Sequence, residues 1–403
     1  MIDTDARLLA GVKEQLGGRN SGEPVGVAQV AEALRRTGLV HGSAAIVDTA
    51  QRLTAEISGA GPLQPLLDDP EVTDVFVNGP HDVFVDDGRG IRQVEVPLGD
   101  SAHVRALAVR LAALGGRRLD DASPLVDARL PSGVRVNAVL PPISGECATL
   151  SLRIPRGRSF TLDDFVDLGT LPPDWADALR AIVAQGRNVL VTGGTGAGKT
   201  ALLGAMLSSA PPTERLVIVE DAAELAPTHP HVVRLLARRR NIESAGEITL
   251  ADLVINALRM RPDRLVVGEC RGAEVRELLA ALNTGHSGGG TMHANTVTDV
   301  PARLEALGAL AGMSQAAVAA QSVSALDVLV HIERSAGDRK VVQLAVPYRT
   351  SAGLLAVEPV MQREADDSTT VFATGRRMLT ALGVPVPAGV GRHSAVRARE
   401  QST

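Results

Sequence analysis

The sequence predicts an α/β fold in its C-terminal part, preceded by a smaller α+β domain. Three observations carry this expectation. From about residue 176 to 333, apolar strand-like runs alternate with helix-like stretches, which implies a mostly parallel sheet with helices on both faces. One such run, Asn188–Thr192, enters the glycine-rich stretch Gly193–Thr200, read as GGTGAGKT, and a helical stretch, Ala201–Leu207, leaves it. The chain has 403 residues and is 45% apolar, enough for two cores. Aromatic residues make up only 2%, so those cores must rest on Leu, Val, Ile and Ala.

The elements follow in chain order. Residues 1–58 read as a helical extension, with helix-like spacing over Ala6–Gln15, Val27–Arg36 and Ile46–Ile57, stopped by Ser58-Gly59-Ala60-Gly61-Pro62. A solvated assembly arm without chemistry is the favoured reading of that extension. Residues 59–156 form the expected α+β domain. Its strands are Val72–Val77, Asp82–Val85, Leu125–Leu130, Val134–Leu140 and Thr149–Ile154, with one amphipathic helix at Ala102–Leu114 and turns at Asn78-Gly79 and Asp87-Gly88. A linker is expected over 157–175, with one short helix. The α/β domain spans 176–360, opening on the helix Trp175–Gln185. Its strands are expected at 188–192, 215–220, 264–268 and 289–293, with later ones near 328–333 and 340–346. The tail, 361–403, carries one expected helix around Arg376–Leu382.

Composition narrows the function classes. Net charge is −5, so no global basic field argues for nucleic acid. The two cysteines, Cys147 and Cys270, form no CxxC pair, which fits a reducing cytosol and excludes a four-Cys zinc site. The acidic N-terminus Met1–Asp5 lacks the basic and apolar regions of a signal peptide. No apolar run reaches about 18 residues, so any membrane role is expected to pass through a partner.

GGTGAGKT fits the P-loop pattern: Gly193, four residues, then Gly198, Lys199 and Thr200. Backbone N–H groups of Gly193, Gly194, Thr195, Gly196, Ala197, Gly198, Lys199, Thr200 and Ala201 can close around phosphate oxygens at a helix N-terminus. Lys199 would reach the β/γ-phosphates of ATP, and the Thr200 hydroxyl would take Mg²⁺. Lysine occurs only at 13, 199 and 340, so its use here, in an arginine-rich chain, is informative. The strand Arg215–Val219 exits into Glu220, Asp221 and Glu224, which either orient water and metal or merely cap the strand. The strand Arg264–Val267 exits into Gly268-Glu269, an apolar run ending in an acid about seventy residues after the P-loop. That is the Walker B arrangement, with Glu269 as the expected partner of Mg²⁺ or its waters. His286 and His293 stand seven apart, at the two ends of a turn-plus-strand segment. They read as catalytic-adjacent or structural rather than as a zinc site, because the segment has no cysteine and no third histidine. Arg259, Arg261 and Arg271 flank the Walker B strand, and Arg129, Arg135 and Arg153 lie on strands of the first domain. Arg238-Arg239-Arg240 reads as a solvated loop or a subunit contact.

The segments GGTGAGKT, IVEDAAEL, LRMRPDRLVVGECRG and NTGHSGGGTMHANT occur in this order. They resemble the Walker A, Asp-box, Walker B and His-box set of the type II/type IV secretion ATPases, most of all the CpaF/TadA-like branch of Flp (Tad) pilus assembly. GPLQPLLDDPEVTDVFVNGP and SPLVDARLPSGVRVNAVLPP resemble that branch's first domain, and the likeness covers roughly residues 55–335. It implies a homohexameric ring of subunits, each with a RecA-like C-terminal P-loop domain and ATP in the cleft between its domains. It further implies a cytoplasmic protein at the inner face of the cytoplasmic membrane, driving an integral platform protein, with no direct nucleic-acid partner. By position, Lys199 and Thr200 would bind phosphate and Mg²⁺, Glu220 would be the base or water-orienting acid, and Glu269 the Walker B acid. His286 and His293 would be the His-box pair, and Arg135 and Arg153, with Arg129, the first-domain arginines that reach the phosphates. The roles of Glu220 and Glu269 stay interchangeable at this level. The sequence departs from the pattern at Cys270, in the extra glycine of SGGGTMHAN, expected to loosen that loop, and in VVRLLARRRN, which lacks an acid. Two other readings remain: a type IV secretion or conjugation ATPase, and an ATP-binding regulatory scaffold with little turnover.

Overall fold

The computed structural model describes residues 11–12, 15, 26–37, 43–155, 159–238, 246–335 and 338–386. It divides into two compact units, Met1–Arg156 and Gly157–Thr403.

In the first unit, the helices Val27–Thr37 and Ser43–Ser58 bury Val30, Leu34, Ile46, Ala50 and Leu53 in a small cluster. The expected Ala6–Gln15 helix lies almost wholly outside the described residues. Six strands then form one antiparallel sheet: β1 (Asp74–Val77), β2 (Val83–Asp86), β3 (Ile91–Val94), β4 (Leu125–Arg129), β5 (Arg135–Val139) and β6 (Thr149–Arg153), in the order β3-β2-β1-β6-β5-β4. Alternate residues are buried, as in Val75 and Val77 or Val136 and Ala138, the period-2 pattern of a sheet covered on one face. The helix Ser101–Leu114 supplies Val104, Leu107, Ala108 and Leu111 to the same core. Asp100 caps it, accepting from the His103 N–H at 3.0 Å.

The second unit is built on nine strands. They are β7 (Val189–Gly193), β8 (Leu216–Glu220), β9 (Val232–Leu236), β10 (Arg264–Cys270), β11 (Ser287–His293), β12 (Val328–Ser335), β13 (Asp338–Arg349), β14 (Leu355–Arg363) and β15 (Thr369–Val371). Their order is β15-β14-β13-β12-β7-β11-β10-β8-β9. From β12 to β9 every pairing is parallel, and the β13–β15 extension is antiparallel. The central strands read as continuous apolar runs because both their faces are covered. Val189, Val191, Leu216, Ile218 and Val266 enter one core. Their neighbours Leu190, Val217, Val219, Leu265 and Val267 enter another on the opposite face. The strand–helix alternation thus builds the expected α/β layers.

Three segments differ from expectation. Leu162, Phe165 and Leu171, in the stretch read as linker, belong to the core of the second unit, with Thr161 capping the helix Leu162–Asp167. Beyond residue 360 the chain continues the sheet through β14 and β15 before the helix Ala373–Ala381, burying Val371 and Leu379 completely. The indole of Trp175 donates to Thr369 Oγ1 at 3.0 Å and ties that extension to the helix Pro173–Ala184. The glycines of SGGGTMHAN lie inside β11, not in a loosened loop: β11 pairs with β10 on one side and β7 on the other. A Cβ on Gly288 would stand 1.8 Å from Leu265 O, and one on Gly289 1.8 Å from Val189 O. The absence of side chains lets three backbones approach this closely.

Candidate nucleotide site

In a parallel sheet, ligands meet the carboxyl ends of the strands. Those ends carry Gly193 on β7, Glu220 on β8, Glu269 on β10 and His293 on β11. The P-loop follows β7 and runs into the helix Lys199–Ser208. Gly198 caps that helix at φ +101, a left-handed conformation open to glycine, which turns the backbone N–H groups of the first turn toward the loop.

Lys199 is buried. Its Nζ donates to Gly194 O at 2.8 Å and lies 3.3 Å from His293 Nδ1. On the far side of that ring, His293 Nε2 is 2.6 Å from Glu269 Oε1. The other carboxylate oxygen of Glu269 pairs with the Arg271 guanidinium. A neutral imidazole protonated on Nε2 accepts from the lysine on Nδ1, while its Nε2 lies against Glu269 Oε1, which is buried without a hydrogen-bond partner. The electrostatics agree: burial first, then the Lys199 charge, holds His293 below its usual value, against the pull of Glu269. Lysine, histidine, acid and arginine thus form one connected line from P-loop to Walker B strand.

Glu220 is in a different state. It is buried at the end of β8, its Oε1 accepting from the backbone N–H of Glu224 at 2.9 Å and of Leu225 at 2.8 Å. Its Oε2 is buried without a hydrogen-bond partner. Burial pushes this carboxyl above its ordinary value despite the two N–H donors. A carboxyl raised by burial, with one oxygen unpartnered, suits proton acceptance; Glu269, beside the Arg271 guanidinium and the His293 ring, suits charge organisation. Of the other acids after β8, Asp221 and Glu224 are exposed.

Within the second unit, His286, Arg259 and Arg261 stand apart from this cluster. His286 precedes β11, its Nδ1 3.4 Å from Thr284 Oγ1, at the opposite end of that strand from His293. Seven residues of extended chain span roughly 23 Å, so the structure does not bring His286 into the cluster. Arg259 and Arg261 precede the N-terminal end of β10, also away from the strand ends that carry the site. Arg135 and Arg153 are directly opposed on β5 and β6 of the first unit, with Arg129 opposite Arg135. Arg135 lies 3.6 Å from Asp127, and Arg153 lies 4.0 Å from Asp74. Arg238 bonds Gly246 O at 2.6 Å, and Arg239 and Arg240 lie outside the described residues.

One residue here has no local sequence signal. His331 on β12 is fully buried, its Nδ1 2.9 Å from Thr192 Oγ1 and its Nε2 3.1 Å from Asn295 O. Burial depresses its basicity, so a neutral ring braces the P-loop strand against the loop after β11.

The donor set fits a magnesium nucleotide. Among the described residues no cluster of three His, Cys, Asp or Glu could hold a metal alone. Mg²⁺ is commonly bound by one or two protein groups together with phosphate oxygens, and Thr200 and Glu269 would be those groups here. No helix among the described residues is long and apolar enough to cross a membrane.

Comparison with known proteins places the chain in a family. The profile of the family described as type II/IV secretion system protein matches residues 56–378. A Mycobacterium tuberculosis protein named for conjugal transfer is 51% identical over 313 residues, 76% of this chain and 89% of its own length. The conjugal transfer protein TrbB of Rhizobium radiobacter is 35% identical over 290 residues, 68% of this chain and 83% of its own. The solved structure of the ATPase DotB from Yersinia pseudotuberculosis shares the fold, with a TM-score of 0.50 at 16% identity, covering 79% of this chain and 81% of that one. The chain belongs to the type II/IV secretion system family of ATPases.

Proposed function

We propose that this chain hydrolyses ATP as the motor subunit of a secretion machine. The observation that carries the reading is the Lys199–His293–Glu269 line, which links the P-loop cation to the Walker B acid through one neutral imidazole. Lys199 now donates to the Gly194 carbonyl. An arriving γ-phosphate offers a stronger, charged acceptor and draws the ammonium away. His293 then loses a donor on Nδ1, and the change reaches Glu269 through Nε2. Glu220, with its free lone pairs on Oε2, accepts the proton of the attacking water. Bound Mg²⁺ would supply charge neutralisation on the phosphate oxygens at Thr200 and Glu269. We assign to Arg135 and Arg153 the phosphate contacts that the family resemblance implies.

The proposal extends to a homohexamer acting on an integral membrane platform protein from the cytoplasmic side. For the machine itself, Flp (Tad) pilus assembly is the reading of the sequence motifs. A conjugation-type or type IV secretion apparatus is the second reading, favoured by the names of the relatives at 51% and 35% identity. The chemistry is common to both. The test is the steady-state ATPase rate against protein concentration, with mass measured in parallel, for wild type and Glu269→Gln. A rate per subunit that rises with assembly and collapses in the variant is expected. A concentration-independent rate from a monomer would overturn the motor reading, and tight binding without turnover even with the platform's cytoplasmic domain added would favour a scaffold.

A further inference from the structure

The β12–β13 hairpin carries two cations against the P-loop that the site above does not use. Arg334 and Arg339 are directly opposed in the antiparallel register of this hairpin, so their side chains leave the same face. The strand that delivers them is tied to the P-loop strand: β12 pairs in parallel with β7, His331 opposite Thr192. Residues just beyond His331 therefore stand beside the loop that begins just beyond Thr192.

The contacts bear this out. Arg339 Nε donates to Gly196 O at 3.2 Å. Arg339 Cδ lies 3.4 Å from the position a Cβ on Gly198 would take, and Arg334 Nη1 lies 3.4 Å from that of a Cβ on Gly196. Arg339 thus bonds the middle of the loop and Arg334 stands beside it, at the stretch whose backbone N–H groups would gather around phosphate. In the sheet, β7 is flanked by β11 on one side and β12 on the other. His293 and its partners come from the first side; the two arginines come from the second.

We propose that Arg334 and Arg339 complete the phosphate cradle, each guanidinium contacting phosphate oxygens of the nucleotide on the P-loop from the side opposite His293. The inference rests on the nucleotide-site reading and adds to it a charge source within the same domain. A guanidinium fork matches phosphate geometry in a way an ammonium does not. Arg339 already reaches a loop carbonyl, an acceptor that a phosphate oxygen outcompetes.

The experiment is equilibrium binding of fluorescent ATP and ADP analogues to the full chain, with KM and kcat in parallel. The variants are Arg334→Gln/Arg339→Gln, Arg339→Lys and Lys199→Ala, with circular dichroism to confirm folding. The double variant is expected to bind ATP at least about 10-fold more weakly, with a flatter salt dependence, as loss of charged hydrogen bonds implies. Arg339→Lys keeps the charge without the fork and is expected to fall between. Wild-type affinity and KM in the folded double variant would overturn this proposal alone. Failure of wild type to bind either analogue would overturn the nucleotide-site reading and this inference with it. Should the double variant misfold, Arg339→Lys decides: unchanged affinity and salt dependence count against the proposal, weakened affinity for it.

Discussion

Replacing Gly289 by alanine tests the most crowded part of the sheet. The added Cβ would stand 1.8 Å from Val189 O, where real contacts essentially never fall under 3.0 Å, so the β7 carbonyl must retreat by about 1.2 Å. Gly289 pairs with Val189 itself, and the displacement would strain the ladder on both sides of it. Loss of one ladder hydrogen bond costs about 1 kcal/mol. Overpacking adds roughly 1–3 kcal/mol, and holding alanine at φ +150 adds about 1 kcal/mol or more. A loss of about 4 kcal/mol is expected, a large share of a typical domain stability of roughly 5–15 kcal/mol. Urea unfolding followed by circular dichroism measures it. Gly285→Ala is the control: nothing lies within 4 Å of its added Cβ and only the φ of +94 is unfavourable, so about 1–2 kcal/mol is expected. Equal stability of the two variants would refute the close-packing argument. Because β11 ends in His293, any Gly289→Ala protein that folds should also turn over ATP more slowly.

Other outcomes follow from the same geometry. Glu220 is raised by burial, so its contribution to stability is full below the unfolded value near 4.5 and is lost as pH rises through the folded value. Glu220→Gln should therefore gain stability relative to wild type at pH 8, with the gain shrinking toward pH 4.5, while turnover falls by more than about 100-fold; a gain that grows on acidification would contradict this. Lys199→Ala should abolish hydrolysis and leave the far-UV circular dichroism unchanged, and residual wild-type turnover would sink the site assignment. Glu214 pairs with Arg264, whose side chain is only 3% exposed and also donates to Val183 O at 2.7 Å. Glu214→Ala leaves that buried charge short of its partner and should cost about 3 kcal/mol in thermal or urea unfolding.

Sequence reasoning reached the central strands because burial on both faces writes itself as an unbroken apolar run, as in Leu216–Val219. The same logic explains what it missed. At the sheet edge, β9 alternates between half-buried and exposed residues, and β14 and β15 carry polar side chains among apolar ones, so neither reads as core. Lys199, Glu269 and His293 were legible because a strand exit or a glycine run marks each one locally. Arg334, Arg339 and His331 were not, since their place depends on β12 pairing with a strand 139 residues earlier, as at Thr192 and His331. The glycines of β11 were visible but misread: an unusual run of small residues signals either a loose loop or a closely packed strand, and only the neighbours decide which.

The chain contains a single tryptophan, and Trp175 is fully enclosed in the second unit. The lone tyrosine, Tyr348, belongs to the same unit. Tryptophan and tyrosine emission, excited at wavelengths the phenylalanines do not absorb, thus comes from residues 157–403 alone. Circular dichroism sees both units. Recorded together during unfolding, the two signals resolve whether the halves melt as one cooperative body or in succession, without any label being attached.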